Sequence, residues 1–294
     1  MTDCPICGGK GDGSYRATDE NCRCSAEPFG YATCRTCKTV FLTNPPADLE
    51  RYYEDEYYSI PSLERLAEMG AKESFKVEIV NRFASGKRLL EVGPAYGIFA
   101  LQAKRAGYDV DTIEMDARCC AYLRETVGVN ATQSDEPHEA IAAMEPHDVI
   151  VLWHVLEHLP QIPELVEAAA ANLAPDGILI VATPNPGAAQ FRLMGSHWPH
   201  LDAPRHLALV PPEALAGLAR RHGLERAFVT TGDPEGRKWD RFGWQRLLMN
   251  RFRSRLMQRA MFVAGYGVGL LMVPFDRREM RGSAFTMVLR KPAP

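Results

Sequence analysis

The sequence predicts an α/β protein: a parallel sheet with helices on both faces, preceded by a small metal-stabilised module. Three observations carry this. From residue 62 onward, short runs rich in Val, Ile and Leu alternate with helical segments of roughly 10–15 residues. The first of these runs, Arg88–Val92, enters a glycine-bearing turn, Gly93-Pro-Ala-Tyr-Gly97. Six of the eight cysteines fall within the first 37 residues, grouped in spaced pairs.

The module comes first. Cys4-x2-Cys7 and Cys34-x2-Cys37 present two pairs of thiolates, each across a short turn (CPICG, CRTCK). Four such thiolates fill a tetrahedral zinc site and leave no open position, so the metal is structural. It replaces a core that about 40 residues cannot build. Cys22-x-Cys24 is spaced too tightly for good chelation, and stands as a loop pair, a substitute ligand pair or a redox pair. Cys119 and Cys120 read as small buried side chains in a helix. Residues 1–50 hold five basic and seven acidic side chains, which argues against a nucleic-acid finger. A linker at Thr43–Pro46 leads to Tyr52-Tyr-Glu-Asp-Glu-Tyr-Tyr58. That stretch is either a surface helix packing its tyrosines on the next domain or a lid.

The alternating elements follow in order. Leu63–Phe83 reads as a helix, Arg88–Val92 as a buried strand and Ile98–Ala106 as a helix. Tyr108–Ile113 is a strand stopping at Glu114, and Ala117–Val127 a helix. Residues 130–134 make a poor strand. Asp148–Leu152 and Ile178–Ala182 are buried strands around an alanine-rich helix, Pro163–Leu173, and Ser283–Leu289 is a final strand. In such sheets, ligands bind beyond the carboxyl ends of the strands.

Those ends carry a constellation. Gly93 and Gly97 let backbone approach a ligand closely. The turn lacks the Lys and Ser/Thr of a phosphate cradle, and Ala95 stands where a dinucleotide fingerprint has its second glycine. Glu114 ends the second strand, where a carboxylate can take both ribose hydroxyls. Asp135 follows the third, within reach of an adenine amino group. The set Glu91-x-Gly93-x3-Gly97, Glu114, Asp148–Leu152, Trp153-His-Val-Leu-Glu-His158, Leu173-Ala-Pro-Asp-Gly177 and Ala182-Thr-Pro-Asn185 resembles the class I S-adenosylmethionine-dependent methyltransferases, in the ubiquinone O-methyltransferase-like branch, over about residues 85–230. The cysteine pairs with a Tyr-rich linker resemble the N-terminal zinc modules of some sugar C-methyltransferases. The resemblance implies a Rossmann-like, seven-stranded, doubly wound sheet with a zinc ribbon before it. It implies that Gly93 and Gly97 hold the methionine part of S-adenosylmethionine, Glu114 the ribose and Asp135 the adenine, with Glu91, Ala95, Tyr96, Met115 and Trp153 beside them.

Methyl transfer is an in-line displacement, and an oxygen or carbon nucleophile needs a base. His154, His158 and His206 are the candidates, with His197 and His200 near the last and Asn185 and Asp202 available to orient a hydroxyl. His154-x-x-Glu157-His158 also matches a zinc-peptidase pattern, but it directly follows a strand and Pro160 cuts it short. Residues 237–259 carry eight Arg/Lys against Asp240, interleaved with apolar side chains. An uncharged run, Ala260–Phe275, follows; its 16 residues fall short of the roughly 20 a spanning helix needs. This segment is either a helical insertion packed on its own sheet or a dimer, or a basic amphipathic helix and apolar hairpin lying on a membrane.

The expected divisions are a zinc module (1–45), linker and capping helices (46–84), the Rossmann-like core (85–232), a basic and apolar helical insertion (233–282), and a final strand and tail (283–294). The net charge of −3 gives no reason to expect nucleic acid. The N-terminus lacks a signal-like apolar run, which points to the cytoplasm or the inner membrane face. The expected activity is methyl transfer to an O or C acceptor on a small molecule or saccharide, either free or lipid-linked, by a chain that is either monomeric or a homodimer. The competing readings are a zinc-module RNA methyltransferase and a non-catalytic binding protein of the same fold.

Overall fold

The computed structural model describes residues 2–53, 60–276 and 278–293. At the N-terminus β1 (Gly11–Ala17), β2 (Phe29–Cys34) and β3 (Val40–Leu42) form an antiparallel meander. Its fourth strand comes from far along the chain: β9 (Ala208–Leu209) pairs with β3, Phe41 opposite Ala208. Tyr31, Phe29, Val40 and Leu42 pack with Trp198, Leu201 and Leu209, so module and core share one apolar cluster. Of the Tyr52–Tyr58 stretch, Tyr52 is buried edge-on against Phe29; residues 54–59 lie outside the described residues.

The single helix expected over Leu63–Phe83 is two, α1 (Leu63–Ala71) and α2 (Ser74–Phe83). The weak helix former Gly70 sits at the break, against the Gln102 side chain. Then come β4 (Arg88–Val92), α3 (Ile98–Arg105), β5 (Asp109–Glu114), α4 (Ala117–Tyr122), β6 (Asn130–Gln133), α5 (Pro137–Ala142), β7 (His147–Trp153), α6 (Ile162–Asn172), β8 (Leu173–Pro184) and α7 (Ala189–Met194). The helix expected over Ala117–Val127 changes to a wider π-turn at Leu123 and stops at Gly128. After β9 follow α8 (Pro212–Arg221), β10 (Glu225–Thr230), α9 (Pro234–Asn250), α10 (Arg255–Asp276) and β11 (Ala284–Arg290).

Seven strands form the main sheet in the order β10-β11-β8-β7-β4-β5-β6. Along β7, Val149 and Val151 face α1–α4 while Ile150 and Leu152 face α5, α6 and α8. β7 and β8 are buried on both faces, which is why Val149–Leu152 and Ile178–Ala182 read as unbroken apolar runs. The sheet is not wholly parallel: β11 runs opposite to both β8 and β10. The cause is the helical hairpin α9–α10, which returns the chain to the end of the sheet it left, so the next strand must run back. The run Ala260–Phe275, for which the sequence left a helical insertion and an apolar hairpin open, is helical and belongs to α10; the run alone is too short to span, but the 22 residues of α10 are long and apolar enough to cross a membrane.

Candidate active site and metal centre

The four module cysteines converge as expected. Sγ of Cys4 lies 3.6 Å from that of Cys37, and Sγ of Cys7 lies 3.5 Å from that of Cys34. A zinc with bonds of about 2.3 Å sets tetrahedral sulfur edges of about 3.8 Å, so the set fits that ion; the gaps are far too wide for disulfides. The amides of Ile6 and Cys37 point at Sγ of Cys4 and Cys34, as turns that stabilise thiolates do. Cys22 and Cys24 are exposed on a loop apart from this set. Their amides donate to the buried Asp19 carboxylate. Cys119 and Cys120 are fully buried.

The glycine turn and the acid of β5 are held together. Gly93 and Gly97 have φ of 68° and 86°, and Ala95 also has positive φ (51°). The Ala95 amide donates to Glu114 Oε2 (2.9 Å) and the Asp116 amide to Oε1 (3.0 Å). Glu114 is buried, and burial raises its pKa. Asp135 is exposed just past β6, beside the end of β5, where the Ser134 amide bonds the Glu114 carbonyl. Met115 projects from the same edge, 57% exposed, and Tyr96 is half-buried in the turn. Glu91 lies beneath the turn: burial, against the pull of Lys76 and of the Ala100 amide dipole, pushes its pKa to about 8. Its Oε2 and the Trp153 indole N–H are buried without a hydrogen-bond partner among the described residues. Unspent polar capacity beside two positive-φ glycines is what a polar cofactor needs.

The histidines gather beyond β7 and β8. His154 itself takes positive φ (57°), unusual for such a side chain. The Trp239 indole donates to His154 Nε2 at 3.0 Å, and Nδ1 faces Glu157 Oε1 at 3.5 Å. An indole N–H only donates, so Nε2 carries the lone pair and Nδ1 the proton. Burial opposes a charge on His154, but Glu157 and Glu235 outweigh it and raise its pKa. His158 Nδ1 contacts the Arg205 carbonyl (3.1 Å) and the Tyr53 hydroxyl (3.0 Å); burial holds its pKa down at about 4. His206 Nδ1 donates to the His200 carbonyl (2.9 Å), and its ring meets His158 edge-on at 4.6 Å. Each of these two rings spends Nδ1 on a carbonyl and so keeps its lone pair on Nε2. Together with a Glu157 oxygen they place three donors within 4.8 Å of one another, a set able to ligate a divalent cation. The peptidase-like pair His154 and His158 is not what converges.

The module holds this site from behind. The Leu42 amide donates to the Leu207 carbonyl and the Leu207 amide to that of Glu157. The Tyr31 hydroxyl donates to the His206 carbonyl at 2.9 Å. Buried Arg205 bridges Asp19 (2.7 Å) and Asp202 (2.8 Å). Asp202 is thereby fully engaged, and Asn185 bonds the Met280 and Gly282 carbonyls and the Gly187 amide. Neither has the freedom to orient a substrate that the sequence suggested. His197 pairs with Glu20 and His200 with the Trp239 carbonyl. Three contributors were not visible in the sequence. Lys76 is buried between Glu73 (2.8 Å) and Glu235 (3.3 Å), 5.0 Å from the Trp153 ring; burial opposes its charge, and the two carboxylates restore it. Glu235 and Trp239 come from α9, whose basic composition hid their placement over β7.

Comparison with known proteins follows the same line. A family model described as a methyltransferase domain matches residues 63–227. A ubiquinone biosynthesis O-methyltransferase of Ralstonia nicotianae is 32% identical over 49% of this chain and 65% of its own length. One from Bordetella bronchiseptica is 31% identical over 48% and 63%. The chain thus spans a little under two thirds of the length of these relatives. A SAM-dependent methyltransferase of Archaeoglobus fulgidus superposes with a TM-score of 0.51 at 15% identity, over 75% of this chain and 93% of that one. A phosphoethanolamine N-methyltransferase of Haemonchus contortus, solved with S-adenosylhomocysteine, does so with a TM-score of 0.51 at 16% identity, over 75% and 53%. These superpositions establish the fold.

Proposed function

We infer the function from one premise: this chain belongs to the methyltransferase-domain family. We propose that it transfers a methyl group from S-adenosylmethionine to an oxygen or carbon atom of a small molecule, with a saccharide the favoured class. The observation that carries this is the clamp of Glu114 on the glycine turn, 2.9 Å to the Ala95 amide, with a cluster of buried imidazoles beyond the neighbouring strand.

The cofactor supplies an electrophilic methyl on a sulfonium. Gly93 and Gly97 let the backbone close on it, Glu114 takes the ribose hydroxyls, and Asp135 stands at the adenine end. The four cysteines hold a structural zinc. His206 is the base: its Nδ1 is committed to the His200 carbonyl, so Nε2 is the atom that accepts the acceptor's proton. His154 and Trp239, bonded to each other, form an aromatic wall on the other side. The aromatic cluster of Trp239, His200 and Phe242, with ring centroids 5.1–5.8 Å apart, supports a saccharide, whose faces are apolar and whose edges need polar partners.

Calorimetric titration of the zinc-loaded protein with S-adenosylhomocysteine, repeated on Glu114→Ala, tests the reading. Micromolar binding abolished in the variant is expected. Absence of binding to well-folded wild type overturns it, and binding without turnover on any acceptor assigns a non-catalytic role. The donor set of Glu157, His158 and His206 supports a second reading, in which these three side chains would hold a divalent cation that would supply Lewis-acid chemistry toward an acceptor oxygen. Turnover that dies on mild chelation and returns with magnesium, zinc content unchanged, would select it.

A further inference from the structure

The α9–α10 hairpin has two unlike sides. The side of α10 facing α9 is cut to fit: Gly265 lies on the backbone of Trp244 and Gln245, where a Cβ would come within 2.5 Å of the Gln245 Cα, and Gly269 lies on Arg241. The opposite side is apolar and uncovered. Leu256 and Leu271 are 81% exposed and Val263 71%, and Leu270 and Tyr266 are exposed along the same side. A patch of this extent marks an interaction surface.

Charge indicates what the surface meets. Residues 237–259 carry eight Arg/Lys and one acid, and that acid, Asp240, is buried with its carboxylate accepting the Ser283 amide. The exposed charge of this segment therefore has one sign. At the tip of the hairpin a groove of about 520 Å³ is lined by Arg255 and Arg259 together with Met249, Gln258, Phe262 and Val263. It offers guanidinium groups beside apolar walls, the pairing that a phosphate headgroup and its acyl chain require. A second copy seated here would need a self-complementary surface, whereas this tip carries only positive charge.

We propose that the hairpin is a peripheral membrane-docking element that seats on an anionic phospholipid surface. Arg255 and Arg259 meet headgroup phosphates, and Leu256, Val263 and Leu271 enter the upper acyl region. The helix lies in the interface and does not cross. It is packed along α9, so a crossing would draw Arg237, Arg241 and Arg246 into hydrocarbon, which is costly. The inference is independent of the transferase reading.

Liposome flotation of the zinc-loaded full chain tests it, using phosphatidylcholine vesicles with and without phosphatidylglycerol. Wild type floats with the anionic vesicles and releases as salt rises. Arg255→Glu with Arg259→Glu weakens partitioning by roughly fivefold or more per arginine. Leu256→Glu, Val263→Glu and Leu271→Glu together abolish it, while circular dichroism and S-adenosylhomocysteine binding match wild type. Three results overturn the proposal: wild type that fails to float, equal binding to neutral vesicles, or a triple variant that floats as wild type does. Wild type that sediments as a dimer without floating, and turns monomeric in the triple variant, assigns the face to a second copy instead.

Discussion

Replacing Arg205 with alanine should be among the most destabilising single changes in the protein. The guanidinium is 1% exposed. Nη2 donates to Asp19 Oδ1 (2.7 Å) and Asp202 Oδ1 (2.8 Å), Nε donates to Asp202 Oδ2 (2.9 Å), and Nη1 to the Tyr52 carbonyl (3.2 Å). Removing one partner of a buried ion pair costs about 3–5 kcal/mol, because the other charge stays buried alone. Here two carboxylates are stranded. Asp19 keeps the Cys22 and Cys24 amides and Asp202 keeps the Asn21 side chain, so the upper half of that range is the expectation. Urea unfolding of the zinc-loaded protein, followed by tryptophan fluorescence, measures it. Adding Asp19→Asn and Asp202→Asn removes the stranded charges and should recover at least about 1 kcal/mol. A loss under about 1 kcal/mol for Arg205→Ala, or a triple variant weaker than the single one, would refute the reasoning.

Other outcomes follow from the same geometry. Glu91 has a folded pKa of about 8 against an ordinary 4.5. The folded state therefore holds the extra proton between those values, and stability falls as pH rises through that window, by up to about 1.4 kcal/mol per unit. Glu91→Gln should flatten the slope in denaturant titrations at stepped pH; an unchanged slope sinks the assignment. Gly97→Ala forces a Cβ to 2.6 Å from Leu123 Cδ2 at positive φ, and should lower stability by about 1–2 kcal/mol or more and weaken S-adenosylhomocysteine binding; calorimetry showing wild-type affinity contradicts this. Cys34→Ser should remove the bound zinc, read by atomic emission, and lower the melting temperature of the whole chain in one transition. A separate low-temperature transition confined to the module would show that the two are less tightly joined than Leu42, Leu207 and Glu157 imply.

The legible parts of this fold are those in which neighbours in sequence report burial. Val149–Leu152 and Ile178–Ala182 are apolar throughout because both their faces are covered, and no water-facing alternative fits them. β6 carries no such signal. Asn130, Thr132 and Gln133 are exposed, and the strand exists only through its pairing with β5. The two residues of β9 are too short to show any period. That the glycine turn and Glu114 stand together was readable because one loop and one strand end suffice to specify it. The histidine cluster was readable only in part. His158 and His206 are 4.6 Å apart in ring centroids but far apart in sequence, and Trp239 reaches His154 from a helix whose composition speaks of charge, not of contact.

The pairing of Phe41 with Ala208 bears on how a nascent chain becomes this molecule. All four cysteines precede the strands of the large sheet in the chain, so their thiolates can gather before any of that sheet exists. The edge of β3 has no mate at that stage, and a bare strand edge is a template for pairing with the wrong chain. It must wait through the synthesis of β4 to β8 until Ala208 and Leu209 emerge. A metal gathered by those thiolates would hold the segment compact and out of other pairings until the chain supplies the strand that completes it.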